Sequence, residues 1–132
     1  KHSITVRVTS SLPQIVGDDE LLHQGISNLI SNAIKYSPEG GEIILDARHE
    51  ENSVTLLVKD SGIGIPPESL ERIFEMFYRV DDPSKHHIVG TGLGLALVKE
   101  IVSAQNCQVW AESTLGHGST FYISLPFVSN DI

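Results

Sequence analysis

The chain has 132 residues, with 9 basic against 17 acidic side chains and a net charge of −8 when its six histidines are neutral; that length suits one domain able to bury about two thirds of its unfolded surface. The acidic balance argues against a nucleic-acid binder and against adsorption to anionic lipid, both of which need a basic face, but it leaves room for a small anion held by a few local cations. A single cysteine, Cys107, excludes an internal disulfide and a cysteine-based zinc site, and no apolar run approaches the roughly 20 residues of a membrane span.

The chain opens at Lys1 without a methionine, which we read as an excised domain, residues 1–132, with any anchor or partner domain outside it. Ile4-Thr-Val-Arg-Val8 alternates as a half-buried strand, and Gln14-Ile15-Val16 is a candidate short strand. Asp18 or Asp19 caps a helix over about 20–36, which Ser37-Pro38-Glu39-Gly40-Gly41 ends. Two strands, 42–49 and 53–59, are joined by the polar turn Glu50-Glu51-Asn52. Pro66-Pro67 opens a short helix near 68–74. The stretch from about Tyr78 to Gly94 is polar and glycine-rich, a functional or mobile loop. Leu95, Leu97, Val98, Ile101 and Val102 mark a helix to about Gln105, and residues 107–112 and 119–125 alternate as two final strands around Gly116-His117-Gly118. The interspersed elements predict an α/β fold, a mixed sheet with helices on one face.

On the first helix, Asn32 lies about +40° and Lys35 about −20° from Asn28, away from the apolar face of Leu22, Ile26, Leu29, Ile30 and Ala33. A solvated face explains such a stripe, yet two asparagines in mid-helix are a local cost where Glu or Lys would form helix better. A carboxamide oxygen can ligate Mg²⁺ without adding charge, and a lysine can meet phosphate as a point charge. Asp60-Ser-Gly62-Ile-Gly64-Ile65 follows a strand. It is either a plain turn or an acceptor for an amino group, with glycines that admit a flat ligand to the backbone. Gly90-Thr91-Gly92-Leu93-Gly94-Leu95 runs into a helix and can cradle phosphate. It lacks the Gly-Lys-Ser/Thr of a P-loop and the spacing of a dinucleotide fingerprint. Arg79, Lys35 and Lys85 can supply local positive charge near it.

Asn28-Leu-Ile-Ser-Asn32-Ala-Ile-Lys35-Tyr36-Ser37 resembles the N box of histidine kinase ATP-binding domains, and Asp60-Ser-Gly62-Ile-Gly64 the G1 box. Phe74-Glu-Met-Phe77-Tyr-Arg79 is similar to the F box, Gly90-Thr-Gly92-Leu-Gly94-Leu to the G2 box, and Gly116-His-Gly118-Ser-Thr120-Phe121 to the last glycine box. The order and spacing cover nearly the whole chain. They resemble the catalytic, ATP-binding domain of two-component sensor histidine kinases, within the wider Bergerat-fold ATPase group.

That resemblance implies a two-layer α/β sandwich, a mixed sheet of about five strands backed by three helices with a mobile ATP lid. The implied cofactors are ATP and Mg²⁺. Asp60 would accept from the adenine amino group, Thr120 would reach adenine through water, and Asn32 would ligate Mg²⁺ with Asn28 beside it. Lys35, Tyr36, Arg79 and, from the lid, Lys85 would meet the phosphates. Gly62, Gly64 and Ile65 would line the base, and Gly90, Thr91, Gly92, Leu93, Gly94 and Leu95 the hinge and cradle of the lid. Relatives that hydrolyse ATP carry a glutamate one turn before the metal-binding asparagine. Here Asn28 stands there and cannot take a proton, so phosphoryl transfer to a partner is favoured over hydrolysis. The catalytic set is then Asn28, Asn32, Lys35 and Arg79.

The implied partners are a dimerisation and phosphoacceptor histidine domain of the same protein and a response regulator, with no nucleic acid. The implied state is a monomer for this domain and a homodimer for its parent, in the cytoplasm, any membrane anchor being outside the chain. None of the six histidines reads as the acceptor, and His49-Glu50-Glu51-Asn52 imitates one only at a strand-to-strand turn. Gln105-Asn106 stands where the family often has Gly-Gly, a change confined to the helix exit. A serine kinase of the anti-sigma-factor type and a non-catalytic nucleotide-binding module are the competing readings.

Overall fold

The computed structural model describes residues 2–8, 19–37, 40–49, 53–75, 94–105 and 107–126. The strands are β1 (His2–Val8), β2 (Gly41–His49), β3 (Ser53–Asp60), β4 (Gln108–Thr114) and β5 (Gly118–Pro126), and the helices α1 (Asp19–Lys35) and α2 (Gly94–Ala104). One sheet holds all five strands in the order β1-β2-β3-β5-β4. It is mixed, as expected: β1 runs parallel to β2, and the other pairs are antiparallel.

The two helices pack on each other and, between them, on β2, β3 and β4. Leu29 and Ala33 of α1 meet Val98 and Val102 of α2 in one core with Ile43, Val58, Phe121, Ile123 and Leu125 of the sheet. Their alternation along the strands puts every second residue on the helix face. Across the register, Ile43, Leu45, Val58, Asp60, Ser119, Phe121, Ala111 and Ser113 share that face. Phe74 meets Phe121 edge-on, with ring centroids 6.2 Å apart, a geometry that aligns the positive ring edge with the partner's π face.

Two elements depart from expectation. The predicted short helix near 68–74 is a 3₁₀ turn, Pro67–Ser69, followed by further turns. Ile73→Ser69 is the one i→i−4 bond among the backbone bonds of residues 66–75, the others spanning three residues, so the segment forms successive tight turns rather than an α-helix. Two α-helices rather than three therefore back the sheet among the described residues. β1 alternates as predicted, with Ile4 across from Ile43 and Val6 across from Leu45, but Ile4 is 52% and Val6 60% exposed. It is an edge strand, beyond the strands on which the described helices pack. The candidate strand at 14–16 and the loop from 78 to 93 lie outside the described residues.

Gln105 closes the exit of α2. Its side-chain Nε2 donates to the Ile101 carbonyl at 3.3 Å, and the Cys107 N–H donates to the Val102 carbonyl at 2.8 Å. These bonds satisfy carbonyls that the helix end would otherwise leave open.

Candidate functional site

The site is organised by the loop after β3. Asp60 closes that strand, 2% exposed. Its Oδ1 accepts the Gly62 N–H at 2.9 Å, while its Oδ2 is buried with no hydrogen-bond partner. Removal from water raises the Asp60 pKa above its ordinary value, against backbone N–H bonds from Gly62 and Ser119 that favour the charged form.

The loop is tied at both sides. The Ile63 N–H donates to the Tyr36 carbonyl at 3.0 Å, fastening it to the exit of α1. On the other side the Gly116 N–H donates to the Ile63 carbonyl at 2.8 Å and the Ile65 N–H to Ser113 Oγ at 2.7 Å. The two glycines make this fit possible. A Cβ on Gly62 would stand 1.9 Å from the Tyr36 carbonyl oxygen, and one on Gly64, at φ +76°, 2.4 Å from that of Thr114. At both positions the Cβ direction is filled by the chain's own backbone, so the two glycines are required for the loop to pack as it does. Ile65, placed by the sequence among the nucleotide contacts, buries its side chain in the core and anchors the loop there.

On α1, Asn28 and Asn32 are half-buried rather than on a solvated face, and each holds a buried Nδ2 with no partner. Lys35 is exposed in the last turn, and Tyr36, just past the helix, is half-buried. The tie between Ile63 and Tyr36 brings this end of α1 against the Asp60 loop. Gly94 and Leu95 open α2, Leu95 in the core. Arg79, Lys85, Gly90, Thr91, Gly92 and Leu93 lie outside the described residues.

Thr120 is the residue the register moves. It pairs with Lys59 and Glu112, one step out of phase with Asp60, so its side chain leaves the sheet on the opposite face. There it neighbours Tyr122, whose hydroxyl donates to Glu112 Oε1 at 2.8 Å. Asp60 and Thr120 both line an open cavity of about 170 Å³ at that end of the sheet, but they do so from different faces. The residue directly across from Asp60 is Ser119, 4% exposed. The signal for it was present in the sequence: Phe121 is plainly a core residue, and position 119 shares its face by alternation.

Asp60 Oδ2 and, on α1, Nδ2 of Asn28 and Asn32 are buried without hydrogen-bond partners, unmet hydrogen-bonding capacity that a ligand can satisfy. The family model for histidine kinase-, DNA gyrase B- and HSP90-like ATPases matches residues 17–129. The chain belongs to that family. Within it, the chain is 46% identical over 112 residues to the sensor histidine kinase WalK of Bacillus subtilis strain 168, which covers 83% of this chain and 18% of WalK. It therefore spans under a fifth of that relative's length. Among solved structures, the mycobacterial sensor histidine kinase MprB is similar at 30% identity and a TM-score of 0.78, covering 93% of this chain and 81% of that one. Full-length ShkA, solved in complex with AMPPNP, is similar at 32% identity and a TM-score of 0.81, covering 98% of this chain and 27% of ShkA. The five-stranded mixed sheet with helices on one face is the family's fold. No helix among the described residues is long and apolar enough to cross a membrane.

Asn28 and Asn32 carry carboxamide oxygens, a ligand type that suits magnesium held together with a nucleotide. No group of three or more His, Cys, Asp or Glu capable of holding a metal occurs among the described residues. The candidates on α1 are neutral carboxamides, and Mg²⁺ commonly takes one or two protein oxygens together with substrate phosphates and water.

Proposed function

We propose that this chain is the nucleotide-binding catalytic domain of a sensor histidine kinase, which binds Mg-ATP and passes its γ-phosphoryl group to a histidine on a separate dimerisation and phosphoacceptor domain of the same protein. The observation that carries this reading is the set of buried polar atoms without partners: Oδ2 of Asp60 at one end of the site, Nδ2 of Asn28 and Asn32 at the other. The complex of ShkA with AMPPNP supports ATP as the nucleotide.

In this reading Asp60 accepts a hydrogen bond from the adenine amino group, with Ser119 beside it. Asn32 offers a carboxamide oxygen to the metal, with Asn28 one turn before it, and Lys35, Tyr36, Arg79 and Lys85 meet the phosphates. The segment Gly90–Leu95 forms the hinge and cradle of a lid. Asn32, with Asn28 one turn before it, would hold a magnesium ion arriving with the nucleotide, which would supply charge neutralisation at the phosphates. Phosphoryl transfer needs mainly positioning and charge stabilisation: the γ-phosphorus bonds to an imidazole nitrogen of the acceptor as its bond to the bridging oxygen breaks, and ADP leaves. Asn28 has no proton-accepting carboxylate to offer a water, so the chain is a transferase rather than a hydrolase. A cytoplasmic setting and a response regulator downstream complete the proposal.

The test mixes the chain with γ-labelled ATP and either a histidine acceptor domain or a serine-bearing protein. Acid-labile label on histidine is expected, and label on serine alone overturns the reading.

A further inference from the structure

One hydroxyl outside the expected site residues sits at the junction of three segments. Ser113 Oγ accepts the Ile65 N–H at 2.7 Å, lies 2.8 Å from the Gly118 carbonyl oxygen and 2.9 Å from Ser119 Oγ. A serine hydroxyl has one proton and two lone pairs. The Gly118 carbonyl can only accept, so the Ser113 proton goes there, and the Ile65 N–H takes one lone pair. The contact with Ser119 must then run from Ser119 into the remaining lone pair. Ser119 has spent its only proton and faces the site as an acceptor. It stands across the strand pair from Asp60, whose Oδ2 is buried and unpartnered.

We propose that Ser113 is a positioning residue for base selection: by drawing the Ser119 proton away from the site, it leaves beside Asp60 a corner that only accepts hydrogen bonds, favouring a 6-amino over a 6-oxo purine. This rests on the reading of Asp60 as the adenine acceptor. A 6-amino group brings N–H donors to such a corner, whereas a 6-oxo group brings lone pairs against lone pairs, and an unmet buried acceptor is costly. Freed of Ser113, Ser119 could turn its proton toward the base and satisfy a carbonyl.

The test measures dissociation constants of Mg-ATP and Mg-ITP for the 132-residue chain by calorimetry. Wild type should prefer ATP. Ser113→Ala should reduce the ITP-to-ATP ratio at least about fivefold, and Ser113→Thr, which keeps the hydroxyl, should restore it. A merely structural role would weaken both nucleotides equally and leave the ratio unchanged, and that result overturns the proposal. Should Ser113→Ala not fold, Ser113→Thr and its isostere Ser113→Val carry the same comparison. In a Ser119→Ala background the Ser113 substitution should no longer alter the ratio, because the residue it acts through is gone; an undiminished effect there also overturns it. Asp60→Asn separates the two readings. If wild type shows no preference, or Asp60→Asn leaves it intact, the base reading fails together with this one. If Asp60→Asn abolishes the preference and Ser113→Ala does not touch it, only the role of Ser113 falls.

Discussion

Asp60 carries a conflict between stability and binding. In the unfolded chain its carboxyl ionises near its ordinary value of 3.8, whereas burial holds the proton to higher pH in the fold. Between those two points the unfolded state binds fewer protons, so this group's contribution to stability falls as pH rises through the interval and is level above it. Asp60→Asn keeps the shape and the oxygen that accepts from Gly62 but removes the charge. The ligand-free variant should melt higher than wild type at neutral pH, and thermal melts across a pH series should show the difference shrink as pH drops toward 3.8. ATP binding should weaken about ten- to a hundredfold, since a hydrogen bond to a charged group is worth roughly 1.5–3 kcal/mol; calorimetry giving equal affinity would refute the adenine assignment. On α1, Asn32→Ala should leave the helix intact, alanine being the better helix former, while ATP affinity measured with and without Mg²⁺ should become far less dependent on the metal. Unchanged dependence in the folded variant would place the metal on another residue.

Among the elements, the loop after β3 does the joining. It bonds to the exit of α1 through Tyr36, to the β4–β5 turn through Gly116 and to β4 through Ser113, which ties these three segments together. Gly64→Ala forces a side chain into a left-handed backbone position with a carbonyl oxygen 2.4 Å away. A destabilisation of about 1–3 kcal/mol is expected from strain of this kind, read by urea denaturation, together with weaker ATP binding. Gly94→Ala meets nothing within 4 Å and has no such φ, so its denaturation midpoint should be close to wild type. Element order was legible in the sequence because caps, turns and apolar periods act over a few residues. The segment after Pro66 reads as a short helix because proline at a first turn permits either form; its N–H groups bond mainly three residues back, and a 3₁₀ turn rather than an α-helix results.

At the scale of the whole molecule, the chain resembles one half of a two-part machine. The described helices and strands present no histidine in an acceptor-like helical setting: His23 is exposed on α1 without an adjoining acidic residue, His49 ends β2, and His117 lies in a turn. With Asn28 in place of a general base, the purified chain should bind Mg-ATP, turn it over very slowly and acquire no label of its own. Fusing an acceptor domain before Lys1 should yield acid-labile label on that domain's histidine, lost in Asn32→Ala and reduced in Lys35→Ala. Rapid ATPase by the chain alone, or stable label on one of its own six histidines, would overturn this.

By itself the sequence determined the order of strands and helices, the mixed sheet and the family resemblance, and it named the residue types proposed for the site: Asp60, the two asparagines, Lys35 and the glycine segments. All of these depend on local pattern or on motif spacing. Only the tertiary structure decided which faces those residues use. Strand register set Ser119 directly across from Asp60, and the loop packs against the exit of α1 at Gly62 and against β4 at Gly64, where a Cβ would meet backbone. The place of β1 at the sheet edge left Ile4 and Val6 exposed despite their alternation. The half-burial that leaves Nδ2 of Asn28 and Asn32 without partners likewise belongs to the folded molecule. Contacts of this kind join residues far apart in the chain, and a period read along one segment carries no information about what a distant segment will lay against it.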